Sequence, residues 1–189
     1  MNIAAVVLAA GSSSRLGQPK QLLEFNGEPL LHLAARAALE AGCAPVLVVL
    51  GANAAVCRPA TADLTVQIVD NREWQSGLAS SIRLGIAALP DTASAAILLT
   101  CDQPHVSADL LRQLIAASRD GENMAASQYA GTIGIPAFFP RRSFPELLAL
   151  TGDSGAKALL RKGADAVGCV PFPEGRIEID TPADAGAIL

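Results

Sequence analysis

Short apolar runs alternate with alanine-rich segments along this chain, and the two kinds of segment follow each other in regular order. Four of the runs consist mainly of valine, isoleucine, leucine and alanine, a composition typical of strands that are buried on both faces of a sheet. Alternation of such strands with helices is characteristic of βαβ units around a mainly parallel sheet. The four predicted strands cover residues 3–8, 45–50, 66–69 and 95–100.

Several helices are marked by their end signals as well as by their apolar spacing. Gly42 is typical of the position after a last helical turn, and Pro90 cannot continue a helix. Ser107 is a good N-cap, and Asp109 lies in the first turn that would follow it, where the helix dipole favours negative charge. The predicted helices cover residues 30–41, 80–89, 108 to about 119, 144–150 and 154–162.

The pattern is less regular in the last third of the chain. Gly131, Gly134 and Pro136 interrupt the apolar positions of residues 123–139, which predicts an irregular β segment that can form a wall of a substrate site. A strand near residues 167–172 and an extended stretch at 177–180 come before a last short helix. The whole pattern predicts an α/β protein with three α/β/α layers, a Rossmann-like fold with a mainly parallel but mixed central sheet.

Length and charge limit the kind of protein further. A chain of 189 residues is long enough for one sizeable core and short for two, so we expect a single domain over residues 1–189. The net charge of −4 argues against a nucleic-acid partner. Apolar stretches end well before the roughly 20 residues that cross a bilayer, and the four cysteines form no C-x-x-C pair. We therefore expect a cytoplasmic protein with no membrane partner.

Polar and charged residues follow the ends of the predicted strands. Residues 11–20 follow the first strand, Asn71 the third, Asp102 the fourth and Asp180 the last. Ligands of open α/β sheets collect outside the carboxyl ends of the strands, where loops and helix N-termini converge. We expect these four segments to meet at one rim of the sheet.

Residues 11–20 are rich in small side chains, which let backbone N–H groups approach phosphate oxygens closely. Arg15 and Lys20 add positive charge. Five residues separate Gly11 from Gly17, so the spacing fits neither a P-loop nor the G-x-G-x-x-G pattern of dinucleotide-binding proteins. A phosphate-binding loop and an ordinary surface turn with two solvated cations both remain open from the pattern alone.

The same segment, taken over residues 8–20 as L-A-A-G-x-S-x-R-x-G-x-P-K, resembles the signature of cytidylyltransferase-type nucleotidyltransferases with a Rossmann-like GT-A fold. Residues 71–81, 101–104, 152–157 and 179–182 resemble the molybdenum cofactor cytidylyltransferases, so the resemblance extends over nearly the whole chain. It implies transfer of CMP from CTP to the terminal phosphate of molybdenum-molybdopterin, with release of pyrophosphate.

The resemblance also implies the residues of the site. Arg15, Lys20 and Asp102 would be catalytic, and Asp102 and Asp180 would hold Mg²⁺, a hard cation that prefers oxygen ligands. Ala10 stands where the guanylyltransferase branch has glycine, which favours CTP over GTP. The implied nucleotide-binding residues are Leu8, Ala9, Ala10, Gly11, Arg15, Lys20, Asn71, Gly77, Ser80 and Asp102.

Other roles remain open for some of these residues. Asp102 could be a turn residue, and Asp180 could interact only with the dipole of a helix capped by Thr181. Ser80 is expected to contact the nucleotide, whereas Ser81 would only cap a helix. On the acceptor side, Ile135 departs from the histidine that family members commonly have.

Two other functions are compatible with the same residues. One is a cytidylyltransferase for another small phosphate, such as methylerythritol phosphate. The other is a non-catalytic carrier of the molybdenum cofactor that serves a molybdenum hydroxylase client. The two aspartates favour an enzyme, because a carrier needs no pair of metal-binding carboxylates.

Overall fold

A seven-stranded sheet lies at the centre of the protein, whose structure is a computed structural model that describes residues 1–162 and 166–188. In chain order the strands are β1 (Ile3–Ala9), β2 (Glu24–Phe25), β3 (Glu28–Pro29), β4 (Val46–Leu50), β5 (Gln67–Asp70), β6 (Ala95–Thr100), β7 (Ala125–Tyr129), β8 (Thr132–Pro140) and β9 (Gly168–Pro171). The order across the main sheet is β5-β4-β1-β6-β8-β7-β9, and β2 and β3 form a separate hairpin. Strand β8 runs antiparallel to β6 and β7, and the other pairs are parallel, as predicted for a mainly parallel, mixed sheet.

Helices cover both faces of this sheet. They are α1 (Leu30–Glu40), α2 (Ala54–Cys57), α3 (Leu78–Ala87), α4 (Ala108–Ala117), α5 (Phe144–Leu148), α6 (Lys157–Lys162) and α7 (Pro182–Ile188). Helices α1 and α4 pack on one face, and α3, α5 and α6 pack on the other. The predicted three-layer α/β/α architecture is confirmed. No helix of the described ranges is both long enough and apolar enough to cross a bilayer.

The central strand β1 explains why both faces are apolar. Ala5 and Val7 point into the core under α1 and α4, while Val6 and Leu8 point into the core under α3, α5 and α6. Each of the four side chains is almost completely buried. A strand with period-two side chains and a helix layer on each side must be apolar at every position.

The structure corrects several predicted boundaries. Helix α3 begins at Leu78 and not at residue 80, because Gly77 has a φ of 103° and starts the helix at its N-cap. Residues 123–139 are more regular than predicted, since β7 and β8 form an antiparallel hairpin with one register shift between Ala126 and Ser127. Helix α6 begins at Lys157, three residues later than predicted.

The prediction that Asp180 follows a strand is wrong. The last strand, β9, ends at Pro171 and is followed by a 3-10 turn at Pro173–Arg176. Residues 177–180 are extended but pair with no strand of the described ranges.

A small apolar cluster attaches the last segment to the loop after β1. Leu16 and Leu23 from the first part of the chain and Leu30 from α1 pack with Ile179 and Ala185. All five side chains are buried. This contact carries residues 177–184 to the carboxyl ends of β1 and β6.

Candidate active site

Five consecutive backbone N–H groups in the loop after β1 have no hydrogen-bond partner within the described ranges. They belong to Gly11, Ser12, Ser13, Ser14 and Arg15. Backbone donors that lack a protein partner bind water or a ligand, and successive N–H groups of this kind form concave anion sites. The loop, residues 10–20, can therefore bind phosphate oxygens through its backbone, and we call it the β1 loop.

Gln21 fixes the β1 loop from the protein side. Its side chain is 1% exposed, and its Nε2 atom donates to the carbonyl oxygens of Ala9 at 2.8 Å and Gly11 at 3.0 Å. The carbonyl oxygen of Ala10 accepts from the backbone N–H of Ala52 at 3.0 Å. The three carbonyl oxygens, which would repel a phosphate, are thus each held by a donor of the protein.

One ammonium group lies between two carboxylates beside this loop. The Nζ atom of Lys20 is 2.6 Å from Oδ2 of Asp102 and 2.7 Å from Oδ1 of Asp180. Arg15 contacts the other oxygen of Asp180, Oδ2, at 3.0 Å. The structure therefore brings together four predicted site residues from three separate segments of the chain.

Electrostatic effects within this cluster keep Lys20 and Asp180 ionised. Burial by itself lowers the pKa of Lys20, but the charges and hydrogen bonds of Asp102 and Asp180 together outweigh it and raise the pKa above its usual value. The hydrogen bond from Lys20 lowers the pKa of Asp180 against the opposing effect of burial, and the positive charge of Arg15 acts in the same direction. Lys20 and Asp180 are therefore both charged near neutral pH.

Asp180 is positioned by the residues on either side of it. The backbone N–H of Ile179 donates to the carbonyl oxygen of Asp102 at 3.0 Å, which ties the two aspartate segments together. On the other side, Thr181 caps α7, as predicted. Its hydroxyl accepts from the N–H of Asp184 at 3.3 Å, and Oδ2 of Asp184 accepts from the N–H of Thr181 at 2.8 Å. This reciprocal cap fixes the chain direction at Asp180.

The two aspartates fit a magnesium ion better than a zinc ion. Mg²⁺ is usually held by one or two carboxylates together with substrate phosphates and water, whereas Zn²⁺ sites use histidine and cysteine. Across residues 1–162 and 166–188, no group of three or more histidine, cysteine, aspartate or glutamate side chains could hold a metal ion. Asp102 and Asp180, hereafter the carboxylate pair, would supply two oxygen ligands and leave the others to a substrate.

A cleft of about 350 Å³ opens in front of the β1 loop and Asp102. Asp180 does not line this cleft but binds Lys20, which does. Trp74 and Asp153 line its far side. It contains most of the residues that the sequence predicted to bind the nucleotide or its metal. The predicted site residues that line this cleft are Leu8, Ala10, Gly11, Lys20, Gly77 and Asp102.

Four other predicted residues have different surroundings. The Ala9 side chain packs in the core under α1, and the exposed Arg15 reaches Asp180. Asn71 and Ser80 are each 4% exposed and are joined by a 2.8 Å hydrogen bond from Nδ2 of Asn71 to the hydroxyl of Ser80. Asn71 and Ser80 hold the segment between β5 and α3 and do not line the cleft.

Two functional candidates are absent from the sequence prediction. One is Gln21, whose amide holds the β1 loop. The other is Ser81, which lines the cleft from inside α3 and is not a helix cap. Their signals are weak in the sequence, because Gln21 stands directly after the recognised motif and Ser81 differs from Ser80 only in the direction of its side chain.

A second cavity of about 180 Å³ adjoins the cleft, since Leu8 and Leu78 line both. Tyr129 and Ile135 of the β7–β8 hairpin form one wall of this cavity, and its predicted contact with a substrate stays a prediction. Glu178 lines the cavity as well. Partial burial raises the pKa of Glu178, and the negative charges of the carboxylate pair raise it further.

This fold and site define the class of the protein as a nucleotidyltransferase with a Rossmann-like fold. The chain belongs to the MobA-like NTP transferase family, because the profile of the MobA-like NTP transferase domain matches residues 5–167.

Two similar proteins have names that refer to different reactions, one to an oxidoreductase and the other to a guanylyltransferase. Nicotine blue oxidoreductase from Paenarthrobacter nicotinovorans is 34% identical over 95% of this chain and 92% of its own length. The probable molybdenum cofactor guanylyltransferase from a Nostoc species is 28% identical and covers 99% of this chain and 90% of its own.

A solved structure covers the whole chain. Rv0371c from Mycobacterium tuberculosis superimposes with a TM-score of 0.86, at 32% identity over 100% of this chain and 98% of its own. Its complex with manganese gives a TM-score of 0.80 at 30% identity over the same shares of the two chains.

Proposed function

We propose that this protein is a Mg²⁺-dependent cytidylyltransferase that transfers CMP from CTP to the terminal phosphate of molybdenum-molybdopterin. The products would be molybdopterin cytosine dinucleotide and pyrophosphate. The observation that carries the proposal is the cluster of Lys20, Asp102 and Asp180 beside a loop with five unpaired backbone N–H groups in the described structure. We also propose that residues 1–189 act as a single domain in the cytoplasm, where nucleoside triphosphates are available.

The β1 loop would hold the triphosphate. Its N–H groups donate to phosphate oxygens without adding a full charge, and Lys20 and Arg15 neutralise the charge that collects on the leaving pyrophosphate. Donors that are already fixed need no reorganisation during the reaction, which is the main advantage of a preorganised site.

The acceptor phosphate would act as the nucleophile without a general base. Its second pKa is about 6, so most of the phosphate is doubly ionised near neutral pH and offers an unprotonated oxygen. That oxygen forms a bond with the α-phosphorus of CTP, while the bond from the α-phosphorus to the oxygen that bridges to the β-phosphorus breaks. Pyrophosphate leaves with this oxygen and its electron pair. His105 packs edge-on against Phe25 at a ring distance of 5.1 Å and is not needed as a base.

The carboxylate pair would hold the metal ion. When bound there, Mg²⁺ would supply positive charge to the phosphate groups of the substrate. The manganese complex of Rv0371c supports a divalent cation in this family without selecting magnesium.

The choice of CTP rests on Ala10. Its side chain is 6% exposed and lines the cleft, and Gly51 packs so closely behind it that a Cβ atom there would lie 2.9 Å from the Cβ of Ala10. The methyl group therefore has no room to move back, and it takes up space that a purine base would need more than a pyrimidine.

The choice of acceptor has two supports. The cavity next to the cleft is lined largely by apolar side chains, which suits a flat ring better than a polyol phosphate. The name of the Nostoc relative also refers to the molybdenum cofactor. A molybdenum hydroxylase that receives the product would be the client.

One relative is named for a redox activity, and the sequence and site of this chain favour phosphate chemistry instead. The β1 loop lacks the glycine spacing of a dinucleotide-binding motif. A cation cluster and two carboxylates have a direct role in nucleotidyl transfer and none in hydride transfer. We expect no change in NADH absorbance when the protein is mixed with NADH and an acceptor dye.

The Asp102→Asn variant tests the proposed reaction. We expect pyrophosphate release from CTP to fall by about 100-fold or more, because even the loss of an outer partner of a metal site commonly costs roughly 10- to 100-fold. Asp91→Asn is the matched control, since Asp91 is fully exposed and forms a surface ion pair with Arg141. Unchanged turnover in Asp102→Asn would contradict a catalytic role for this carboxylate.

A substrate panel tests the specificity. CTP, GTP and ATP are each assayed with Mg²⁺ and with molybdenum-molybdopterin or methylerythritol phosphate. We expect activity with CTP and the pterin acceptor. Activity with methylerythritol phosphate but not with the pterin would show that the proposed acceptor is wrong. Activity with GTP but not with CTP would show that the proposed nucleotide is wrong.

A further inference from the structure

Lys20 already binds the two carboxylates that the proposed metal ion needs. Its single Nζ atom is within 2.7 Å of an oxygen from each member of the carboxylate pair, and Arg15 takes the second oxygen of Asp180. Three of the four carboxylate oxygens are thus paired with a cation of the protein. An ammonium group and a divalent cation repel each other and cannot bridge the same oxygens at once.

A metal ion alone would have to displace the ammonium group from a poorly hydrated position. The side chains of Lys20 and Asp102 are both only 16% exposed. Breaking such a pair leaves a largely buried charge without a partner, which is strongly unfavourable. Binding of the free metal ion is therefore weakened by the energy that holds Lys20 in place.

A triphosphate removes this obstacle. Lys20 lines the same cleft as Gly11 and Ser12, whose backbone N–H groups are unpaired in the described structure. Phosphate oxygens bound to the β1 loop would offer the ammonium group new anionic partners, and they would add ligands to the metal ion. The backbone of Lys20 need not move, because its N–H is held by the hydroxyl of Ser13 at 3.1 Å and its carbonyl oxygen by Leu23 at 3.1 Å.

We propose that Lys20 makes the metal site depend on the nucleotide: it occupies the carboxylate pair until a triphosphate draws its ammonium group away. The metal ion and CTP then bind cooperatively, and each raises the affinity for the other by the same factor. This inference rests on the proposed function, since it assumes that the carboxylate pair binds a metal ion and the β1 loop a triphosphate.

Binding of Mn²⁺ in the absence of nucleotide tests the inference. Free Mn²⁺ is measured by electron paramagnetic resonance with the full chain, as wild type and as Lys20→Met. We expect Lys20→Met, which keeps the length of the side chain and loses its charge, to bind Mn²⁺ at least 10-fold more tightly than wild type. Lys162→Met removes the same charge from the exposed end of α6 and is expected to change the affinity less than 3-fold.

Two further variants locate the effect. Adding Asp102→Asn to Lys20→Met is expected to abolish the gain, which places the bound ion on the carboxylate pair. Lys20→Gln, also uncharged, is expected to change the affinity in the same direction as Lys20→Met. Circular dichroism checks that each variant is folded.

The outcomes separate the inference from the proposed function. Trp74 is the single tryptophan and lines the cleft, so its fluorescence reports binding of Mn²⁺ with CTP. If wild type binds Mn²⁺ with CTP but Lys20→Met binds free Mn²⁺ no more tightly than wild type, the inference is wrong and the function stands. If neither protein binds Mn²⁺ with or without CTP, the proposed function is wrong, and the inference fails with it.

Discussion

Gln21 controls the β1 loop although it is neutral and lies behind the backbone. Its amide holds the carbonyl oxygens of Ala9 and Gly11, and its Oε1 atom accepts a long hydrogen bond from the hydroxyl of Ser13 at 3.4 Å. These contacts keep the carbonyl oxygens turned away from the cleft while the N–H groups stay available. We therefore predict that Gln21 is a positioning residue for the proposed triphosphate.

Replacement of Gln21 by methionine keeps the approximate volume and removes the amide. The buried carbonyl oxygen of Ala9 and the partly buried one of Gly11 lose their donor, which costs about 1–3 kcal/mol of folding stability. We expect the KM for CTP to rise by about 10-fold, with a smaller change in kcat, because the loop loses its preformed shape. Steady-state kinetics with CTP measure this.

Gln113→Met serves as the control, because Gln113 is exposed on α4. It should leave both KM and the melting temperature unchanged. A Gln21→Met variant with a lower melting temperature but an unaltered KM would reduce Gln21 to a purely structural residue.

Single residues of the site differ in how far the sequence could predict them. Arg15, Lys20, Asp102 and Asp180 were predicted to meet, because charged residues at strand ends converge in an α/β sheet. Gln21 was not predicted, since a buried glutamine has the same local signature as Gln18, which is exposed three positions earlier. Whether a glutamine of this segment is buried or exposed depends on packing that exists only in the folded chain.

Helix α7 is a short element with a large effect on the site, because Asp180 directly precedes its N-cap. Thr181→Ala removes the hydroxyl of that cap, which typically costs about 1 kcal/mol. We expect the KM for CTP to rise several-fold, because Asp180 is then held less firmly beside Lys20. The melting temperature is expected to fall by about 2–4 °C.

The matched control for this prediction is Ser107→Ala. Ser107 caps α4, and its hydroxyl accepts from the N–H of Leu110 at 3.2 Å. It should lower the melting temperature by a similar amount and leave the KM for CTP unchanged. Equal effects of the two variants on KM would mean that the cap of α7 has no special link to the site.

Elements with local end signals were predicted best. Ser107 caps α4 as predicted, and Gly42 ends α1 with a φ of 87°. Residues 177–180 were misleading because Ile177 and Ile179 alternate with acidic residues as in a strand. The backbone N–H of Ile177 donates to the carbonyl oxygen of Glu174, that of Ile179 donates to the carbonyl oxygen of Asp102, and Ile179 packs in a small apolar cluster. None of these contacts can be recognised from spacing.

At the scale of the whole molecule, the charged cluster links stability to pH. Folding lowers the pKa of Asp180, so the ionised carboxylate contributes to the stability of the folded state above its unfolded pKa of about 3.9. This stability is lost as the pH falls through the lower pKa of the folded state. The pKa of Lys20 is raised, so its contribution is present below about 10.4 and is lost as the pH rises through the higher, folded value. Between these limits the contribution is constant.

We therefore expect the melting temperature of Lys20→Met to lie several degrees below that of wild type. The difference is expected to be the same at every pH from about 5 to about 9. The difference should shrink as the pH falls below about 4, because Asp180 no longer needs the ammonium group once it is protonated. Thermal melts at a series of pH values measure it. A difference that grows on acidification would mean that another group dominates.

The layer architecture was predictable from the period of the apolar positions, whereas the order of strands across the sheet was not. Strand β8 lies beside β6 although α4 and β7 separate them in the chain. That placement puts Tyr129 and Ile135 next to the cleft. It depends on which edges pair in three dimensions, and apolar spacing carries no information about this.

Asp180 comes after every strand of the main sheet in chain order. The sheet itself would therefore supply only one of the two proposed metal ligands, and the other depends on the docking of a segment that belongs to no strand of the described ranges. Loss of that docking would leave a folded sheet with half of the proposed metal site.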